Sequence, residues 1–182
     1  QEFVEHTRKC NYVTSGGIYK SIVSFAIAAF GWENLLLAAG TDPERFGEML
    51  NRWADYLMTD IEAWAATDLD FFLMHDDMVW TEGAIFHPEF YRTYTFPNFK
   101  RYWDCIRDSG KKVLFCSDGD FTEFIDDLVD AGAEGFIFEP LTSLEKVVEK
   151  YGKTHVIMGN ADTRILTFGT PEAVRAEVKR CM

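Results

Sequence analysis

The chain has few of the features that mark disulfide-rich, nucleotide-binding or nucleic-acid-binding proteins. Its four cysteines, Cys10, Cys105, Cys116 and Cys181, are scattered, with no C-x-x-C pair and no small-domain disulfide spacing, which fits a reducing, cytoplasmic setting. A Gly-rich dinucleotide fingerprint is missing: Ser117-Asp118-Gly119-Asp120 holds one glycine between acids that would repel a pyrophosphate, so no nucleotide cofactor is expected. Lys and Arg number 18 against 30 Asp and Glu, a net charge of −12. With no basic stripe to neutralise phosphates, neither nucleic acid nor an anionic membrane is an expected partner, and a cationic, metal-bound or neutral one fits better. Long apolar runs are also scarce. The most lipid-like window, 22–40, is broken by Ser24, Glu33 and Asn34, so it reads as a buried helix and turn rather than a span of about 20 apolar residues. Gln1 is not an initiator Met and Met182 halts a helical pattern, as expected of part of a longer protein.

What the chain has is apolar mass and strategically placed acids. At 182 residues, 47% hydrophobic and 15% aromatic, it can bury a real core within one domain spanning 1–182. Four segments read as buried strands that run into carboxylates: FFLMHDD (Asp76, Asp77), KVLFCSDGD (Asp118, Asp120), GFIFEP (Glu139) and HVIMGNAD (Asp162). As parallel neighbours they would crowd six acids onto one rim, a costly arrangement unless a cation or polar ligand offsets the repulsion. YVTSGG, residues 12–17, is a candidate fifth strand ending in a Gly turn.

Helical patterns separate these strands. Asp42-Pro43-Glu44 starts a helix whose stripe is Phe46, Leu50, Trp53, Leu57, Ile61 and Trp64, spaced by threes and fours as a core face. Pro88-Glu89 starts another, which Pro97 must kink or restart, followed by the inward face Phe99, Tyr102, Trp103 and Ile106. Phe121, Phe124, Ile125 and Leu128 share a helical face that Ala131-Gly132 closes. Thr142 with Glu145 forms a capping-box pattern before Leu144, Val147 and Val148, and Thr170-Pro171-Glu172 opens a last helix with Val174, Val178 and Cys181 facing inward. Strand and helix alternating at about 20-residue intervals imply right-handed parallel crossovers. About five βα units fit either an open doubly wound sheet or most of an eight-stranded barrel, and both put chemistry at the C-terminal strand ends.

The segments DDMVWTEGAIFHPEFYRTYTFPNFKRY, GKKVLFCSDGDFTEFIDDLVDAGAEGFIFEP and KYGKTHVIMGNADTRILTFGTPEAVRAEV, in that order, resemble the uroporphyrinogen decarboxylase superfamily over 12–182. The resemblance implies an α/β fold, a TIM-type (β/α)8 barrel of which only the later βα units are here, a partial barrel. True decarboxylases carry a Tyr-bearing segment and a Ser past the fifth strand; here the matching regions read SIVSFAIAAFGWENLL, with Ser21 and Ser24 but no Tyr, and HDDMVW, with Asp77 at the Ser position. The corrinoid-linked methyltransferase branch carries a His-x-Cys-Gly turn whose His and Cys bind zinc. Cys116-Ser117-Asp118-Gly119 occupies that turn, Cys116 standing at the His position and Asp118 at the Cys position.

The resemblance thus implies a methyltransferase moving a methyl group to or from a corrinoid on a partner protein, with zinc held by Cys116, Asp118 and Glu139. Asp77, Asp118 and Glu139 are the catalytic candidates; His75, Asp76, Asp120, Asn160 and Asp162 are candidates to bind a small-molecule substrate. Adjacent on a strand, Asp76 and Asp77 point opposite ways, so one faces the barrel and the other orients a loop. Asp120 also suits a helix cap, Asp162 an ion pair with Arg164, and Cys116 simple packing. Asp126, Asp127 and Asp130 belong to a solvated helix face. Two alternatives stand beside this reading: tetrapyrrole decarboxylation without metal, and a non-catalytic barrel that binds a small molecule or tetrapyrrole. A homodimer is compatible with all three.

Overall fold

In the computed structural model, which describes residues 2–9 and 12–182, the acid-terminated segments become strands of one parallel sheet. The strands are β1 (Ser15–Ile18), β2 (Phe71–His75), β5 (Lys112–Ser117), β6 (Gly135–Phe138) and β7 (Val156–Gly159), and they lie side by side in chain order. A two-stranded antiparallel ribbon, β3 (Val79–Trp80) with β4 (Gly83–Ala84), follows β2. The strand order never reverses. A doubly wound sheet reverses at its switch point, whereas a barrel adds each βα unit beside the last, so the topology is that of part of a barrel.

Residue alternation sorts the sheet into two faces. Phe72 pairs with Val113, and Met74, Phe115 and Phe136 form one row. All are buried beneath a helical layer that includes α3 (Pro43–Ala65) and α5 (Phe96–Asp108). Phe115 packs on Phe99 and Trp103 of α5, with ring centroids 5.7 and 5.8 Å apart. The α5 face Phe99, Tyr102, Trp103 and Ile106 is fully buried as the sequence pattern requires, and Tyr102 donates its hydroxyl to the Ala54 carbonyl of α3. The opposite face carries the rows Leu73, Leu114, Gly135, Val156 and His75, Cys116, Ile137, Met158. Toward the β7 edge that face is uncovered: Val156 is 47% exposed and Met158 41%.

Local signals place most helix starts. Asp42 caps α3 through the Arg45 amide, with Pro43 in its first turn. Pro88 opens the short helix α4 (Pro88–Phe90), a π-helical turn follows over Tyr91–Thr95, and α5 restarts with Pro97 in its first turn. Past β5 comes a 3₁₀ turn, then α6 (Ile125–Ala131), closed by Gly132 in the left-handed region. Helix α7 (Leu144–Tyr151) is capped by Ser143, not Thr142. Thr142 instead accepts from the Phe121 amide and donates to the Gly119 carbonyl, a tertiary use that sequence spacing cannot reveal.

Two expectations about burial need correcting. Helix α2 (Val23–Thr41) is buried mainly in its first turns: Gly31 breaks it at φ 71°, and Phe30 just before the break and Trp32, Leu36 and Leu37 beyond it are exposed. By length and composition it is the one helix among the described residues apolar enough to cross a membrane. Helix α9 (Pro171–Cys181) does not bury the Val174, Val178, Cys181 face, since Val178 is exposed and its buried residue is Glu177. Cys105, Cys116 and Cys181 are free thiols, and Cys10 lies outside the described residues.

Candidate functional site

The parallel register brings the C-terminal ends of β2, β5 and β6 together, and with them Asp77, Asp118 and Glu139. Asp77 Oδ1 accepts the Asp118 amide at 3.0 Å and lies 3.2 Å from His75 Nε2. The ligand atoms of His75, Asp77 and Asp118 all lie within 4.8 Å of one another, the cluster among the described residues with the spacing of a metal site. His75 is buried, Asp77 half-buried and Asp118 exposed, so the cluster opens to solvent from the strand-end rim.

The ring of His75 is held on its other side. Its Nδ1 lies 2.8 Å from the Tyr19 carbonyl, and the Tyr19 ring stacks on it at 4.4 Å and 12°. A carbonyl only accepts, so Nδ1 carries the proton. That leaves Nε2 facing the Asp77 carboxylate either as an imidazolium donor or as a bare lone pair. Two lone pairs 3.2 Å apart repel unless a cation lies between them. This is the outer-shell arrangement that presents histidine Nε2 to a metal.

Cys116 neighbours His75 in the same row of the sheet, but its sulfur is not in the close cluster. Burial, and then the charges of Asp118, Asp77 and Glu139, push its thiol up to about 12. The thiol therefore keeps its proton while no cation is near, and a metal ion would have to displace that proton to take the thiolate. Of the ligand set inferred from the resemblance, Cys116, Asp118 and Glu139, Asp118 belongs to the close cluster, where its neighbours are His75 and Asp77. Glu139 is exposed, yet burial of its carboxyl and then the neighbouring Asp118, Asp77 and Asp162 raise its proton affinity, offset in part by Arg164. Asp118 and Asp77 act on both Cys116 and Glu139, as expected of groups gathered at the same strand ends.

The remaining candidates have structural partners. Asp76 is fully buried, and both of its oxygens are taken up by donors from the segment after β1. Those bonds tie that loop to the end of β2. Asp120 Oδ1 accepts from the Thr122 amide and hydroxyl, a local bond two residues on, just ahead of the 3₁₀ turn. Asp162 caps helix α8 (Thr163–Phe168); the Arg164 side chain and then its amide hold the Asp162 carboxyl down to about 2. Asn160 is buried and donates to the Thr142 carbonyl, and no donor among the described residues reaches its Oδ1. Gly119 turns the chain at φ 83°, where an added Cβ would lie 2.5 Å from the Trp80 carbonyl oxygen, so this turn in the Cys116–Gly119 stretch can only be glycine.

Sequence reasoning did not foresee Tyr19 or the roles of Ser21 and Ser24. The only local signal was a Ser-x-x-Ser spacing ahead of an apolar run, a pattern suited to a helix start.

A parallel sheet wound in one direction, with its polar groups gathered at the C-terminal strand ends, defines a barrel-type enzyme scaffold. The sequence profile of the uroporphyrinogen decarboxylase (URO-D) family matches residues 2–182. The chain belongs to that family. A methyltransferase from Methanosarcina mazei superimposes with a TM-score of 0.72 at 16% identity, over 92% of this chain and 48% of that one. The chain thus spans about half the length of that methyltransferase, and the likeness is one of fold. KGPDC from Streptococcus mutans aligns over 98% of this chain and 91% of its own at 15% identity, with a TM-score of 0.39, too low to indicate a shared arrangement. Curated protein sequences give no match.

Proposed function

We propose that this chain carries the metal-holding rim of a methyltransferase-type enzyme of the URO-D family, one that acts on a small molecule and exchanges a methyl group with a corrinoid on a partner protein. The observation that carries the reading is the His75, Asp77, Asp118 cluster, with His75 Nδ1 tied to a carbonyl and Nε2 aimed at the carboxylates. The family membership and the fold of the Methanosarcina methyltransferase support it.

The donors fit a divalent ion: one imidazole nitrogen and two carboxylates form a mixed N/O set that suits zinc and leaves room for a further ligand. A bound ion would supply Lewis acidity at the rim, polarising a methyl donor or lowering the proton affinity of an acceptor. The chain's own residues do the rest. Glu139, which holds its proton more tightly than an ordinary glutamate, is placed to give or take a proton at the substrate. Asp77 fixes the turn after β5 through the Asp118 amide. Asn160 Oδ1, buried without a donor of its own, offers an acceptor beside β7 to a substrate N–H or O–H.

The test is zinc titration of metal-stripped protein by calorimetry, with elemental analysis of the product. One equivalent is expected, with affinity falling roughly tenfold or more in His75→Ala and Asp118→Asn while Cys116→Ala stays close to the parent. Equal affinity in all three variants would remove the metal reading and leave His75 and Asp77 as an ion pair. Release of carbon dioxide from uroporphyrinogen by the metal-free protein would favour the decarboxylase instead.

A further inference from the structure

We infer that Asp76 is a positioning residue for the candidate metal centre: by pinning the segment after β1 it fixes the tautomer and orientation of His75. The inference rests on the proposed metal role of His75 for its consequence, but on contacts of this chain alone for its geometry.

Asp76 is a fully buried carboxylate with no cationic side chain among its hydrogen-bond donors. Its Oδ2 accepts from Ser21 Oγ at 2.5 Å, the Ile22 amide at 2.9 Å and the Val23 amide at 3.0 Å; Oδ1 accepts from the Ser24 amide and Ser24 Oγ, both at 2.6 Å. Three of these donors are backbone N–H groups at the start of α2, where a negative charge is favoured. Five donors on one carboxylate offset its burial, and they require an anion that accepts at both oxygens. An amide of the same shape would turn N–H toward N–H on one side or the other.

A helix cap alone would be a sufficient use of Asp76 if nothing else hung on the loop. Two contacts tie that loop to the site. Tyr19 sits between the end of β1 and the pinned turn, and it gives His75 both its carbonyl acceptor and its stacking partner. Ser24 Oγ, while donating to Asp76, accepts the Asp77 amide at 2.7 Å. Asp76 therefore holds its two sequence neighbours by way of a segment more than fifty residues upstream. His75 is oriented through the Tyr19 carbonyl and Asp77 through Ser24.

The experiment compares the parent chain, Asp76→Asn and Ser24→Ala, with far- and near-ultraviolet circular dichroism as the check on folding. Long-range proton–nitrogen correlation spectra of the metal-free proteins report which ring nitrogen of His75 carries the proton. At a pH high enough to neutralise the ring, the parent should show the Nδ1–H form. Asp76→Asn should show a mixture of the two tautomers, and its zinc affinity should fall about tenfold or more, the usual loss when an outer-shell partner of a metal ligand is removed. Ser24→Ala keeps the other bonds to Asp76 and should fold, retain the Nδ1–H form and bind zinc several-fold more weakly. If Asp76→Asn folds with the parent's tautomer and zinc affinity, Asp76 is a helix cap only and the inference falls. If it does not fold, Ser24→Ala decides, and parental zinc binding in that variant overturns the inference. Failure of the parent itself to take up zinc removes the metal reading, while the tautomer comparison still decides the role of Asp76.

Discussion

Asp76 and Asp77 are the same side chain one peptide apart, yet one is sealed among backbone amides and the other stands half-exposed beside a histidine. Strand alternation made opposite orientations legible from sequence. The loop-holding part was legible only as one of two options, because the donors that settle it come from 52 to 55 residues upstream. Cys116 shows the converse. Its place in the turn resembles a ligand position, but the apolar strand around it and three nearby acids keep it protonated. Glu139 gives a pH test of the rim. Its folded-state proton affinity is raised by burial and by Asp118, Asp77 and Asp162, so its protonated form is the better tolerated one. The associated stability is fully present below the ordinary glutamate value of about 4.3 and is lost as pH rises through the raised one. Glu139→Gln should therefore melt slightly higher than the parent near neutrality and equally below about pH 4. The gain will be small because the side chain is exposed and solvent screens it. A lower melting temperature for the variant at neutral pH would contradict the crowding of acids at this rim.

At the scale of elements, helix starts were the most legible feature, because Asp-Pro-Glu and Pro-Glu signals act through local sterics and capping. Asp42 and Pro88 begin helices where their neighbours indicate, and the period of α5 alone identifies the side that meets the sheet. The cap of α7 moved one residue because Thr142 is committed elsewhere. The sequence of α2 does not show that its apolar surface stays uncovered, since apolar composition is the same for a buried helix and an exposed one. Gly31 marks where α2 breaks, at φ 71° and ψ 163°, a region that essentially only glycine occupies. An added Cβ there would meet no atom within 4 Å, so any penalty comes from the backbone. Gly31→Ala should lower stability by roughly 1–3 kcal/mol in denaturant melts. An unchanged midpoint with increased helicity would mean that α2 straightens freely.

For the whole molecule, the decisive fact is a sheet buried on one face and left uncovered toward β7 on the other. The helical layer buries Phe72, Phe115 and Phe136, whereas Val156 and Met158 remain exposed on the other face and Leu37, at 66%, on α2. An uncovered apolar face together with the open edges of β1 and β7 invites association. The 182-residue chain by itself should bind a hydrophobic dye and self-associate in sedimentation experiments as its concentration rises. Changing Val156 and Met158 to Lys should reduce both effects, and a dye signal no stronger in the parent than in that double variant would contradict the exposure.

Taken alone, the order of residues determined the alternation of strands and helices, the inward stripes of α3 and α5, and the acids at the strand ends, because each depends on a repeat of two or about 3.6 residues within a short segment. Only the tertiary structure decided that His75 comes within ligand distance of Asp77 and Asp118, that Tyr19 holds its ring from the other side, and that one face of the sheet lies open toward β7. Those outcomes depend on which distant strands become neighbours and on which backbone donors reach a buried carboxylate, relations between segments that no local period encodes.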